Sequence, residues 1–340
     1  GEEKMSAQVM EREINLTEAV NPGKIIREVV TNRSMYYPGE TIQGSIRFSD
    51  GDKTAGQVRL CLCYLNQVVW EQELPVSPQA TELSFALSAP ERDFTGYALE
   101  VYCYLDGKLA DYTMTGVDVA SDWNMFPRYG YVTKMDSSVG EVAESLERLK
   151  DHHINGLFYY DVFDTQEKPL AGTAEAPAES WNTLNKSLAK KQTVLDTIRI
   201  GHELNMKSFF YNLIFGTYDN YEQAGVSPEW GMYCDRRHQD QDVHDISGIG
   251  WETEKFWLMN PANRLWQDYY IQVHQDLFSV YPYDGIQVDS LGPRGERFDY
   301  EGNEIQLDNA YVPMLNRLVQ ELGKKVIFNP VSAYGMEPQL

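Results

Sequence analysis

Two periodicities divide the chain. From Ile25 to Tyr112 apolar and polar residues alternate with a period of two, the signature of half-buried strands. The runs Ile25–Val30, Ile42–Phe48, Gln57–Tyr64, Val68–Leu74, Glu82–Leu87, Tyr97–Leu105 and Lys108–Tyr112 each read as a strand. Turn-forming residues separate them: Tyr37-Pro38-Gly39-Glu40, Ser49-Asp50-Gly51-Asp52, Leu65-Asn66-Gln67 and Asp106-Gly107, the last a strong hairpin signal. Short strands with turns about every eight to twelve residues predict an immunoglobulin-like β-sandwich over residues 1–122. No catalytic cluster falls within it, and a supporting role is expected.

Beyond Ser121-Asp122 the pattern lengthens. Tyr129–Thr133 reads as a strand, and Ser137–His153 as a helix, because Val139, Val142, Leu146 and Leu149 recur three and four residues apart. Strands are predicted at Ile154–Asp161, Met206–Ile214, Asp284–Leu291 and Lys325–Pro330, with helices at Lys186–Leu204, Asn263–Tyr281 and Tyr311–Leu322. A loop of about forty residues follows Ile214. The strands are apolar almost throughout, as expected when both faces of a parallel sheet are covered. Alternation of strand and helix predicts crossover units, so residues 123–340 are read as a (β/α)8 TIM-type barrel of which about five βα units are present. The whole is a multidomain β plus α/β chain.

Candidate chemistry collects at strand C-terminal ends: Tyr160 and Asp161, Tyr211 and Asn212, Asp289, and Asn329. Any one such residue is commonly a cap or turn former. Four successive strands ending this way point to one pocket, because barrel strands open their C-terminal ends onto a shared site. Trp181, Trp230, Trp251 and Trp257 lie in the connecting segments, where aromatic rings either pack in the core or stack on sugar faces. The segment Cys234–Asp245 mixes acids and histidines without the spacing of an EF-hand or a helical zinc motif. It is read as a solvated or substrate-lining loop, and no metal or cofactor is expected.

Charge narrows the partners. Lys and Arg number 29 against 51 Asp and Glu, a formal net charge of −22. A polyanion is a poor ligand for such a surface, so nucleic acid is excluded and a neutral sugar polymer is compatible. The 42% hydrophobic content excludes disorder as the main state. No apolar run approaches the ~18 residues of a transmembrane helix. Cys61 and Cys63 share one strand face and read as small core residues; a disulfide from either to Cys103 is left open. The start at Gly1, without a charged-then-apolar leader, leaves export open.

Several ordered motifs carry a resemblance. Phe126-Pro127-Arg128-Tyr129-Gly130-Tyr131, Ile154-Asn155-Gly156-Leu157-Phe158-Tyr159-Tyr160-Asp161 with Lys168-Pro169-Leu170, Asn205-Met206-Lys207 with Tyr211-Asn212, Gly285-Ile286-Gln287-Val288-Asp289-Ser290-Leu291-Gly292, and Phe328-Asn329 with Tyr334-Gly335 together resemble glycoside hydrolase family 66. That family contains endo-dextranases and cycloisomaltooligosaccharide glucanotransferases. The resemblance spans about residues 122 to 340 and implies a retaining attack on α-1,6-linked glucan (dextran), giving isomaltooligosaccharides through a covalent glycosyl-enzyme. It implies Asp289 as nucleophile and Tyr160, Asp161, Tyr211, Asn212 and Asn329 as substrate-binding residues; Trp230 is added to these for its aromatic ring in a connecting segment.

The same resemblance puts the general acid on a Glu ending a sixth strand. The fifth strand ends near Pro330, and Glu337 lies in the loop before a sixth, so the acid role is not carried onto it. Five strands do not close an eight-stranded barrel, and the expectation is the N-terminal part of a longer enzyme. Alternatives are a cyclising glucanotransferase, a non-catalytic glucan-binding protein, or another glycosidase on this fold. A polymeric substrate implies an extracellular, periplasmic or cell-surface location, and a monomer is expected.

Overall fold

A computed structural model describes residues 23–51 and 53–336. They divide into two compact units. One takes the chain up to Arg128 with Glu147–Asn155 and Glu203–Met206; the other takes Tyr129–Leu146, Gly156–His202 and the chain from Lys207.

The first unit is built from seven strands: β1 (Ile26–Thr31), β2 (Thr41–Phe48), β3 (Gly56–Tyr64), β4 (Gln67–Val76), β5 (Glu82–Ser88), β6 (Thr95–Leu105) and β7 (Lys108–Val119). They form two antiparallel sheets, β1-β2-β5 and β4-β3-β6-β7. The sequence pattern stops β7 at Tyr112, but the strand continues to Val119 because its partner β6 already begins at Thr95. Ile42, Ile46 and Phe85 of one sheet share a core with Val58, Leu60, Leu62, Leu99 and Val101 of the other. Each such apolar side chain withdrawn from water contributes about 1.5–3 kcal/mol.

Alternation along β3 settles the cysteines. Val58, Leu60 and Leu62 face this core, so Cys61 and Cys63 face the other way, into a small cluster with Tyr102. Cys103 pairs with Val58 and belongs to the main core. The sheet separates the candidate partners, and all four cysteines are free. Burial raises the Cys103 thiol to about 11.

Asp111 is the polar hinge of this unit. One extra residue, Ala110, bulges out of β7 beside it. The Asp111 carboxylate is fully buried and accepts four backbone N–H bonds. Gly23 N and Tyr112 N bind Oδ1 at 2.7 and 2.8 Å, and Ile25 N and Ile26 N bind Oδ2, both at 2.8 Å. A side chain from one sheet thereby ties down the first strand of the other.

The second unit centres on five parallel strands in sequential spatial order: β8 (Tyr129–Val132), β9 (Gly156–Tyr159), β12 (Lys207–Leu213), β16 (Gly285–Asp289) and β17 (Lys325–Asn329). Helices α1 (Val139–Asp151), α2 (Lys191–Glu203), α3 (Arg264–Val280) and α4 (Leu307–Leu322) make the crossovers. Ser138 and Glu141 cap the start of α1 reciprocally, Ser138 N and Oγ both donating to Glu141 Oε2 at 2.8 Å. Asn263 caps α3 by accepting from Leu265 N and Trp266 N. The helical stretch expected from Lys186 starts later, at Lys191. Lys186 takes a left-handed turn (φ 66°), and β11 (Leu188–Lys190) pairs back on β10 (Ser180–Asn182). The forty-residue loop contains a small sheet, β13 (Gly216–Thr217), β14 (Val243–Asp245) and β15 (Lys255–Leu258), in the order β13-β15-β14. Helix α4 begins a turn earlier than the pattern indicated, because buried Leu307 and Ala310 extend its apolar stripe.

Among the described residues no helix is long and apolar enough to cross a membrane.

Asp111→Asn replaces one acceptor oxygen by an amide that meets two N–H donors. Hydrogen bonds to a charged group contribute about 1.5–3 kcal/mol each, so we expect a loss of at least about 2 kcal/mol and a lower thermal midpoint by circular dichroism. Glu71→Gln, on an exposed face of β4, should shift it little.

Candidate active site

Strand register builds the site. β12, β16 and β17 pair so that Leu213 lies beside Asp289 and Asp289 beside Asn329, with Tyr211 beside Gln287 one step back. Side chains two apart share a face, so Tyr211, Gln287, Asp289 and Asn329 emerge on one side of the sheet. Asn212, Ile286 and Val288 emerge on the other.

Asp289 is half-buried and receives three donors. Tyr211 Oη donates to Oδ2 at 2.6 Å. Asn329 Nδ2 and the Ser290 backbone N donate to Oδ1, both at 2.9 Å. Ser290 Oγ donates to the Asn329 carbonyl at 2.9 Å, closing a loop between the two strand ends. The carboxylate is thus fixed by groups from three adjacent strands.

An aromatic wall continues the site toward β8. The Tyr160 ring lies 4.3 Å from Tyr211 and 5.2 Å from Tyr131. Asp161 follows Tyr160 in a left-handed conformation (φ 55°). That backbone reversal carries it off the strand and lets it share the site with its neighbour. Its carboxyl is pushed up to about 7, by burial first and by the charge of Asp289 second. Burial, then Asp289, also raises Tyr211, which stays a protonated donor. Burial first, and the charge of Asp161 second, raise the Tyr218 hydroxyl, which is buried and has no hydrogen-bond partner among the described residues. The arrangement offers one fixed carboxylate, one carboxyl that is neutral below about pH 7, and phenol rings packed tilted and edge-on against one another.

Tyr160, Asp161, Tyr211, Asp289 and Asn329 therefore come together. Asn212 does not. Its side chain is fully buried on the helix side, where Nδ2 donates to the Gln166 carbonyl at 2.9 Å and to His274 Nε2 at 3.2 Å. The reason is alternation: residues adjacent within a strand cannot face the same pocket. Full burial lowers His274 to about 4, and its Nδ1–H donates to the Tyr270 carbonyl at 2.7 Å, leaving Nε2 as the acceptor for Asn212. Trp230 sits on the turn Pro228–Trp230 with its ring on Tyr269 of α3, and makes no described contact with the Asp289 group. Glu337 lies outside the described residues.

Sequence reasoning passed over Tyr131, Gln287 and Ser290. Counting back by two from Asp289 would have found Gln287, and counting forward by two from Tyr129 would have found Tyr131. Ser290 meets Asp289 through its backbone N–H, which no residue type announces, while its side chain ties the strand end to Asn329. In the segment Cys234–Asp245, Asp235 accepts from the backbone N of Arg237, Gln239 and Asp240. Among the described residues no group of three or more His, Cys, Asp or Glu is placed to hold a metal.

The family model Glycosyl hydrolase family 66 matches residues 31–339. The chain belongs to glycosyl hydrolase family 66. Proteins similar to this chain include a cycloisomaltooligosaccharide glucanotransferase of Niallia circulans, 31% identical over 302 residues, which cover 86% of this chain and 30% of that protein. A dextranase of Streptococcus salivarius is 22% identical over 261 residues, covering 68% of this chain and 30% of that protein. The crystal structure of a Paenibacillus sp. cycloisomaltooligosaccharide glucanotransferase in complex with cycloisomaltoheptaose superposes with a TM-score of 0.84 at 27% identity, covering 92% of this chain and 46% of that one. The chain spans about 30% of the length of the curated relatives it matches.

Asp161 predicts a pH-dependent stability. Its unfolded value is near 3.8 and its folded value about 7, so between these the folded protein binds the extra proton and stability falls as pH rises. Asp161→Asn removes this loss. The melting temperature of the variant relative to wild type should climb from pH 4 to pH 8 and level off above it. A difference that does not vary with pH would contradict the assignment.

Proposed function

We propose that this chain carries the nucleophile half of a retaining glycosidic enzyme acting on α-1,6-linked glucan. The observation that carries the reading is the Asp289 carboxylate, held at the end of β16 by Tyr211, Asn329 and the Ser290 N–H. Oδ1 already accepts two donors and Oδ2 one, which leaves Oδ2 with the freer lone pair. Oδ2 attacks the anomeric carbon, the bond from that carbon to the glycosidic oxygen breaks, and the departing oxygen takes a proton from a general acid outside the described residues. Water, or a sugar hydroxyl, then attacks the same carbon, releasing Asp289 and passing its proton to the former acid. Asp161, neutral below about pH 7, donates to a sugar oxygen beside the scissile bond, and Tyr160 presents its ring to the sugar face.

The relatives' names support glucan as substrate, because both a dextranase and cycloisomaltooligosaccharide glucanotransferases resemble this chain. In this reading the five parallel strands are the first βα units of a (β/α)8 barrel, whose C-terminal strand ends face the pocket. The seven-strand unit is an immunoglobulin-like support, its sheets holding three and four strands. Transfer to a hydroxyl of the same glucan chain, giving cyclic products, is the second reading. It is favoured by the match to the glucanotransferase solved with cycloisomaltoheptaose.

In the intact protein, Asp289→Asn should lower the rate of dextran cleavage by a factor on the order of 10^4, with folding intact. Reducing-sugar release at the wild-type rate would refute the nucleophile. Tyr211→Phe removes one hydrogen bond to a charged group, about 1.5–3 kcal/mol, and should lower kcat/KM about 10- to 100-fold. Chromatography of the products on dextran decides between linear and cyclic isomaltooligosaccharides.

A further inference from the structure

Beside the small sheet β13-β15-β14 lies a cleft of about 450 Å³, lined by Trp257 of β15 and by Asp219, Tyr221, Glu222, Tyr233 and His238 of the connecting loops, among others. None of its lining residues belongs to the Asp289 group. Its position follows from the chain: β13 begins three residues beyond the C-terminal end of β12, the strand that carries Tyr211. The cleft therefore sits on an excursion from the catalytic end of the sheet.

Its walls are fixed in advance. Trp257 lies in β15 between β13 and β14, paired with Thr217 on one side and Val243 on the other. Its indole N–H donates to Asp219 Oδ1 at 2.8 Å. Asp219 Oδ2 in turn accepts from Thr253 Oγ1 at 3.0 Å. Tyr221 stands 6.4 Å from the indole at a 58° tilt, and its hydroxyl donates to Gln241 Oε1 at 2.7 Å. The His238 ring lies flat on Tyr300 at 3.9 Å. Its Nδ1–H donates to the Tyr300 carbonyl at 2.8 Å, which leaves Nε2 as an acceptor. The rim carries exposed groups with no side-chain hydrogen-bond partner among the described residues: Asn220, Glu222 and Gln239.

We infer that this cleft is a second glucan-binding site, taking a glucosyl unit of a chain whose other residues reach Asp289. The ligand class follows from the lining. A pyranose ring offers an apolar C–H face to an immobilised indole and equatorial hydroxyls to carboxylate and amide acceptors, and this cleft supplies both kinds of group on a rigid frame. The acidic rim and the net charge of −22 disfavour anions. The volume lies in the range of small-molecule sites. The inference rests on the glucan reading above and adds a place on this chain where a long substrate is held away from the bond that breaks.

The experiment uses the intact protein. In an Asp289→Asn background, binding to dextran is measured by affinity electrophoresis, with and without Trp257→Ala. Loss of one aromatic anchor should weaken dextran binding about tenfold. Glu222→Gln, at an exposed position that cannot compromise folding, should weaken it about threefold. In the active protein, Trp257→Ala should raise KM on dextran while leaving kcat/KM on isomaltotriose unchanged. Unaltered dextran binding in both variants would overturn the inference and leave the reading of Asp289 standing. A wild-type protein that neither binds nor cleaves dextran would overturn both.

Discussion

The site depends on the register of three parallel strands. Asp289 meets Tyr211 and Asn329 only because β16 lies between β12 and β17 with Leu213, Asp289 and Asn329 in line. A slip of one residue would turn Asp289 toward the helices and bring Val288 or Ser290 to the pocket. Asp284 holds the other end of the same strand. Its Oδ2 accepts from Ser208 N at 2.7 Å and meets His202 Nε2 at 2.8 Å, while its backbone N donates to the Ser208 carbonyl at 2.8 Å and its carbonyl accepts from Lys325 N at 3.3 Å. β16 is thus fastened to both neighbours before it starts, and the carboxylate emerging at its end has one available position.

The face of the sheet turned toward the helices shows why that register holds. Tyr159, Phe210, Tyr270 and Tyr283 are buried there with Trp266, and they leave little room for an alternative packing. Asn212 and His274 are the polar pair inside this layer, and each satisfies the other. Since His274 spends its proton on the Tyr270 carbonyl, its neutral form is the one that accepts from Asn212. A polar pair that pairs in one arrangement only favours one strand position over its neighbours.

Much of this was legible in the sequence, for identifiable reasons. The parallel strands announce themselves as apolar runs followed by a polar residue, and the strand-end rule then assembles Tyr160, Tyr211, Asp289 and Asn329. Asp161 is the instructive case beside Asn212. Both follow a tyrosine that faces the pocket, so alternation should exclude both. Asp161 escapes because Tyr159 is the last strand residue and the chain reverses at a positive φ, which an Asp tolerates at moderate cost. Asn212 lies inside β12 and has no such freedom. The small sheet was illegible because its strands are two to four residues long, too short to show a period. Its order comes from anchors distant in sequence, such as Thr217 Oγ1 donating to the Trp257 carbonyl. The cysteine arrangement needed only the parity of β3, once Val58 is set facing the core.

The small sheet also has a mechanical link to the segment that follows β16. Asp242, immediately before β14, is buried beneath two guanidinium groups. Arg294 donates to it through Nε at 3.0 Å and Nη2 at 2.7 Å, and Arg297 adds Nη2 at 3.3 Å. Burial pushes the Asp242 carboxyl up, but the two arginines hold it below the usual carboxylate range. Both arginines belong to the segment that leaves β16 directly after Asp289. A buried pair of this kind is strongly destabilising to break from one side, because the surviving charge is left without a partner in a dry environment. The excursion that carries Trp257 and the segment that follows Asp289 are therefore held as one piece. For a polymer bound at both places, a rigid connection keeps the spacing between them constant, so that binding at the aromatic cleft presents a defined bond to Asp289 instead of an arbitrary one.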